Sequence, residues 1–214
     1  EIVYATQPTP LSFQDRPHVP VHAYRAYCYD PTADRMAFFD RFYDLAAREW
    51  ESRACDGLEH QDAMHSQMTA TPHGAVTFSS KGLFRFDAKS RRWVRQVWNG
   101  PRPESIWCDG DLMRYDSKRD ALWIAVGKAL YRYHFATGEG EKIAWAPPKC
   151  FGDHPFGGEA AYLADADLLL CMGLHNDGGK LRNVAYDPQA NKFFWTSLKF
   201  MGPDGKPPAF QANP

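Results

Sequence analysis

The chain has no apolar run near the roughly 20 residues that a membrane-spanning helix needs. It also has no CxxC pair among its five cysteines, Cys28, Cys55, Cys108, Cys150 and Cys171. The first absence excludes a helical membrane span. The second, with an odd cysteine count, argues against a structural zinc site or a dense disulfide framework. Thiols buried in strands, with or without a single bridge, are the expectation. Neither sign of charge prevails: 25 Lys and Arg face 26 Asp and Glu, a net charge of −1. No global field therefore draws the protein to nucleic acid or to an acidic membrane surface. HExxH, a P-loop, GxSxG and a dinucleotide fingerprint are missing as well, so no local motif announces an enzyme. The first residue is Glu1 rather than Met, and a processed product, an excised domain or an incomplete chain is expected.

What is present is turn chemistry and apolar mass. Sixteen Gly and sixteen Pro suit a chain full of turns rather than a helical one. With 44% hydrophobic residues over 214 positions, the chain can build a sizeable core. "YDPTADRMAFF" (29–39), "YDSKRDALWIA" (115–125) and "YLADADLLLCM" (162–172) share a Tyr followed five residues later by Asp, a polar middle and an apolar run. In the first of these, Asp30 is placed to cap a turn and Pro31 to occupy its first central position. These segments read as hairpins.

A second series interleaves with the first: "FYDLAAREW" (42–50), "FRFDAKSRRW" (84–93), "YRYHFATGEGEKI" (131–143) and "VAYDPQANKFF" (184–194). Asp44 precedes Trp50 by six residues, as Asp87 precedes Trp93 and Asp187 precedes Phe193. The third copy has His134 in place of Asp, and Gly138 and Gly140 lengthen its turn. The markers 44, 87, 134 and 187 recur every 43, 47 and 53 residues. In the gap of the first series, "TPHG" (71–74) supplies a turn and "AVTFSS" (75–80) a strand. Residues 40–54 have a helical look because of Ala46 and Ala47, but the Asp–Trp spacing makes them strand, turn, strand. Two hairpins per unit at a period near 45 predict an all-β chain of four four-stranded propeller blades, over about 21–55, 63–98, 105–145 and 156–200. Blades thus fill residues 1–200, and 201–214 read as a linker or the start of a further segment.

The interleaved hairpins, with an aromatic-Asp before the turn and an aromatic six residues on, resemble kelch repeats of the galactose-oxidase-like propeller class. "YDPTADRM" and "YDSKRDAL" are similar to the Tyr-Asp-x-x-x-Asp-Arg units of bacterial kelch-type proteins. The double glycine usual after the second strand is replaced by "FFDR", "FSSK", "AVGK" and "CMGL". Such propellers close with six or seven blades, about 270–330 residues at this period. The resemblance therefore implies either a four-bladed ring or part of a larger propeller completed by further blades or another copy. It implies no galactose-oxidase copper site, since no matching ligand set can be placed on this chain.

In a propeller the first strand of each blade lines the central channel. The polar residues that precede those strands are His22 with Tyr24 and Arg25, His65, Asp109, and His154 with Glu159. Converging there, His22, His65, His154 and Glu159 could hold a divalent metal such as zinc, manganese or iron. They could equally act as general acid and base, or bind only ordered water. "GLHNDGGK" (173–180) reads as a plain turn carrying His175 rather than a calcium loop. His73 reads as a turn residue, and most tryptophans as core between blades. Trp98 and Trp107, flanking "NGPRPESI", could instead stack on a sugar ring. The expected function is non-catalytic binding of a protein or carbohydrate through a loop rim. The alternative is a polysaccharide lyase or hydrolase with a metal or His/carboxylate channel site.

Overall fold

The computed structural model describes residues 26–38, 41–51, 56–58, 67–104, 112–126, 129–143, 160–177 and 180–196, with the backbone alone for 171–177 and 180–182. Among the described residues there is no helix, and sixteen strands form four antiparallel sheets of four. Sheet 1 contains β1 (Tyr27–Asp30), β2 (Arg35–Phe38), β3 (Arg41–Asp44) and β4 (Glu49–Trp50). Sheet 2 contains β5 (Gln67–Thr71), β6 (Gly74–Ser79), β7 (Gly82–Asp87) and β8 (Arg92–Arg95). Sheet 3 contains β9 (Leu112–Asp116), β10 (Ala121–Val126), β11 (Ala129–His134) and β12 (Gly140–Ile143). Sheet 4 contains β13 (Ala160–Leu163), β14 (Leu168–Asp177), β15 (Lys180–Asp187) and β16 (Lys192–Thr196). Each sheet is a simple up-and-down meander. The first strands stand side by side in chain order, β1 by β5, β5 by β9 and β9 by β13. This row of meanders is the local arrangement that propeller blades require.

Three apolar clusters glue the row. Phe42 and Ala37 of sheet 1 meet Met68, Phe84, Phe86 and Trp93 of sheet 2. The opposite face of sheet 2, with Val76, Phe78 and Leu83, meets Met113, Leu122, Ile124 and Tyr133 of sheet 3. Leu112, Trp123, Ala125 and Leu130 of sheet 3 meet Ala160, Leu169, Val184 and Tyr186 of sheet 4. Middle sheets are thus buried on both faces, which is why β6 and β10 read as nearly unbroken apolar runs.

One turn design recurs six times. The residue just before the second strand of each such hairpin sits at positive φ: Asp34, Arg48, Arg91, Asp120, Asp167 and Asn191, between 48° and 57°. Asp and Asn tolerate that left-handed conformation best. Four residues earlier, the carboxylates of Asp30, Asp44, Asp116 and Asp187 each accept two backbone N–H bonds from their turns. The Tyr–Asp spacing has its cause here too. Tyr29, Tyr115, Tyr162 and Tyr186 donate their hydroxyls to Asp34, Asp120, Asp167 and Asn191 at 2.5–2.9 Å. In the first hairpin of sheet 2 a tighter turn replaces this design, with Gly74 at φ 114°. A Cβ at Gly74 would lie 2.7 Å from the Phe86 carbonyl oxygen.

One expectation is corrected. His175 lies inside β14, opposite Arg182 of β15, and only residues 178 and 179 separate the two strands. The antiparallel ladder continues to Asp177–Lys180, so His175, Asn176 and Asp177 belong to strand rather than to a Gly-rich turn. His73 stands in the β5–β6 turn as expected, and its Nε2 also lies 2.6 Å from Asp120 of the neighbouring sheet.

Candidate functional site

The residues expected to line a channel, His22, Tyr24, Arg25, His65, Asp109, His154 and Glu159, lie outside the described residues. So do Trp107 and Trp145. Among the described residues no group of three or more His, Cys, Asp or Glu is arranged to hold a metal ion. The described thiol of Cys28 is free, and burial, reinforced by Asp30, pushes its pKa up to about 12, so it stays protonated and unreactive.

Charged side chains at the first-hairpin turns are committed to joining sheets. Asp30 accepts the Ala75 N–H of sheet 2 at 2.9 Å. His73 of sheet 2 reaches Asp120 of sheet 3, with its ring 4.8 Å from that of Phe135. Burial works against ionisation of Asp120, but the bonds from His73 and Tyr115 outweigh it and hold the carboxyl below its ordinary range. Arg119 of sheet 3 makes two parallel 2.7 Å bonds to Asp167 of sheet 4 and a third, at 2.9 Å, to Asp116. Asp116 is fully buried and also accepts the indole N–H of Trp123. The Arg119 bonds, joined by those from Tyr162 and Gln189, depress the Asp167 pKa against the opposing effect of burial. Every polar group in this belt has a partner, so the belt is architecture.

A different environment surrounds Trp98. A cavity of about 270 Å³ is lined by Phe78, Leu83, Arg95, Gln96, Trp98 and Arg102, with Gly82 and Val97 at its margin. Phe78 and Leu83 form an apolar floor that belongs to the cluster between sheets 2 and 3. The Trp98 indole stacks on Tyr133 (centroids 4.9 Å apart, planes at 29°), meets Phe78 edge-on, and donates its N–H to the Pro101 carbonyl at 2.9 Å. Arg95 and Arg102 are exposed, and neither has a hydrogen bond or an acidic partner among the described residues. The cavity thus joins an oriented ring, an apolar floor and two guanidinium groups unneutralised among the described residues, which present donors in a planar fork suited to carboxylate.

Glycines seat these groups. A Cβ at Gly140 would fall 1.9 Å from the indole nitrogen of Trp98, so only glycine allows the ring to lie on β12. Gly100, at φ 88°, approaches so closely that its Cβ would stand 2.5 Å from the Gly140 carbonyl oxygen. The connector is pinned there by Asn99, which donates its N–H to the Gly138 carbonyl and accepts the Gly140 N–H through its own carbonyl. Gly82, at φ 123°, leaves the guanidinium of Arg95 room over the β6–β7 turn, 3.4 Å from where a Cβ would be. The "GEG" at 138–140, expected only to lengthen a turn, is the seat of the tryptophan.

The connector geometry occurs twice. Asp56 forms a parallel bridge with Arg92, as Asn99 does with Glu139, and Gly57 (φ 92°) mirrors Gly100. Asp56-Gly57 follows Asp44 by twelve residues and Asn99-Gly100 follows Asp87 by the same number. That repeated Asx-Gly was the available signal for how each connector docks on the outer strand of the next sheet. Nothing local in the sequence marked Arg95 or Arg102, because their meaning comes from the absence of acidic neighbours in space. Compared with known proteins, the chain matches no family model and no curated protein.

Proposed function

We propose that this chain is a kelch-like β-propeller module that binds without catalysing, and that its ligand is a glycan bearing carboxylate groups, held at the Trp98 cavity. One observation carries the reading: two arginines without acidic partners among the described residues flank an indole whose orientation is fixed by Tyr133 and by the space at Gly140. A uronic acid has matching parts. Its carboxylate can take a bidentate guanidinium bond, and the C–H face of its ring can lie on an aromatic surface. The repeated sheets support the propeller part of the reading, since the fold is a rigid frame that presents loops. The tied belt of Asp and Arg at the first-hairpin turns supports it by contrast, because its charges are already paired within the protein.

Titration calorimetry with oligogalacturonate and with a neutral galactan of the same length tests this. Binding of the acidic chain alone, weakening as salt rises and abolished in Arg95→Ala/Arg102→Ala, is the expected result. Equal binding of both chains, or acidic binding that survives the double substitution, would overturn it.

A further inference from the structure

We infer that Gln96 is the residue by which the Trp98 cavity selects its ligand, its side-chain carbonyl accepting a hydrogen bond from a free sugar hydroxyl. The inference rests on the acidic-glycan reading above and narrows it. It begins with the donors and acceptors around the cavity. The polar side chains that line it are those of Arg95, Gln96, Trp98 and Arg102. A guanidinium donates and cannot accept, and an indole N–H likewise only donates. The Trp98 N–H is already given to the Pro101 carbonyl. The arginines therefore suit a carboxylate and offer no acceptor to a hydroxyl that donates. Among the described residues lining the cavity, Gln96 is the one whose side chain carries an acceptor.

Which end of the Gln96 amide is open follows from its partners. The backbone N–H donates to the Leu83 carbonyl at 2.8 Å, which fixes the residue against the apolar floor. The side-chain Nε2 donates to the Val94 carbonyl, also at 2.8 Å. A carbonyl oxygen only accepts, so the nitrogen must be the end of the amide that faces Val94. An inverted amide would set oxygen against oxygen. The Oε1 is left without a partner among the described residues. Gln67 shows the other use of this side chain. It is fully buried, and its Oε1 accepts the Met113 N–H at 3.0 Å, joining sheets 2 and 3. There the amide oxygen serves the fold. In Gln96 the amide is anchored at its nitrogen end and open at its oxygen.

A uronic acid matches this set. Its carboxylate accepts from the arginines, and a ring hydroxyl donates to Oε1. That hydroxyl must be free, since an ether or ester at the same oxygen keeps the charge of the ligand and removes the donor. The cavity thereby separates a hydroxylated acidic glycan from a polyanion of equal charge, which arginines by themselves do not.

Calorimetry on Gln96→Met tests this, with oligogalacturonate and with an oligoacrylate of equal carboxylate number, which carries no hydroxyl. Methionine keeps the length of the side chain and removes both amide groups. Oligogalacturonate should bind about three- to tenfold more weakly, the range of one hydrogen bond. The oligoacrylate should behave as it does with the unsubstituted protein. The lost bond to Val94 is exposed, so the thermal melt and the tryptophan emission should not change. Equal loss of both ligands, or no loss of either, would overturn the inference. So would a loss accompanied by red-shifted emission, because the seat of the indole rather than the acceptor would then be responsible. Absence of oligogalacturonate binding, or binding that survives Arg95→Ala/Arg102→Ala, sinks the acidic-glycan reading and this inference with it. Binding that needs the arginines and ignores Gln96→Met sinks this inference alone.

Discussion

Arg119 and the pair Arg95 and Arg102 are the same kind of side chain in opposite circumstances. Arg119 spans two sheets, with its fork on Asp167 and a third bond to fully buried Asp116. Arg95 and Arg102 flank a cavity and touch no acid among the described residues. The sequence gives both settings a similar local look, a basic residue near a turn or strand end. The difference lies in what the next sheet brings: opposite Arg119 it brings Tyr162 and Asp167, while beside Arg95 it brings Tyr133, the wall behind Trp98. A charge already satisfied by the protein serves the fold, and a charge left unsatisfied beside an oriented ring is available to something else.

Breaking the tied member should have the largest effect. Arg119→Ala leaves Asp116 and Asp167 without their shared cation, and is expected to cost about 2–4 kcal/mol, since Arg119 is partly exposed and a fully buried pair would cost more. Urea unfolding measures it. Arg119→Lys should recover less than half of the loss, because a single ammonium cannot reproduce the parallel bonds. Glycan binding should survive both substitutions wherever the protein is folded.

The next effect separates the seat of the tryptophan from its neighbours. Gly140→Ala forces the Trp98 indole off β12, and overpacking of this kind costs about 1–3 kcal/mol. The emission of Trp98, now turned toward water, should shift to the red. Gly138→Ala is a useful contrast. Its φ of 70° adds backbone strain, but the nearest atom to its Cβ would be the Val97 carbonyl oxygen at 3.1 Å, so the indole stays in place. A shift in emission from both variants alike would mean that the turn, rather than the indole's seat, is what Gly140 protects.

Acid should dissolve the same clasp more gradually. The pKa of Asp167 is lower in the folded chain than its ordinary value, chiefly through the Arg119 bonds, so folding favours the ionised form. Its contribution is complete above the ordinary carboxylate pKa near about 4. It is lost as pH falls below that value and through the depressed one. Stability measured from pH 6 downward should drop less steeply in Arg119→Ala than in the unsubstituted protein. Parallel curves would show that Arg119 does not set the Asp167 titration.

Much of the frame was legible because its causes are local. A Tyr five residues before an Asp marks a hydroxyl bonded to the residue at positive φ, and an Asp at the strand end marks a capped turn. Both arise within one hairpin, so both repeat in the sequence. Within 40–54, the described residues 41–51 are strand, turn, strand for the same reason: Asp44 caps the turn by accepting the N–H groups of Ala46 and Ala47, the residues that give the segment its helical look. "TPHG" was legible as a turn, but the bond from His73 to Asp120 was not, since 47 positions separate them and no period links them. The cavity was harder still. Its position beside a loop marks Trp98 in the sequence as a ring suited to a sugar, yet its partners Tyr133, Gly140 and Arg95 come from different strands of two sheets.

The smallest expected effect on stability sharpens the comparison most. Arg95→Ala and Arg102→Ala remove exposed side chains that make no hydrogen bond or ion pair among the described residues, so each should change stability by about 0.5 kcal/mol or less. If the guanidinium groups serve a ligand, the same substitutions should each weaken binding of an acidic glycan at least tenfold, and Arg95→Lys should restore only part of it. Thermal melts and calorimetry on the same samples give both numbers. A residue whose removal leaves the melt unchanged and removes the binding isotherm is one that the fold does not need. If Arg95→Ala instead unfolds the protein as readily as Arg119→Ala does, the two arginines are alike after all, and the contrast between a tied belt and an open cavity fails.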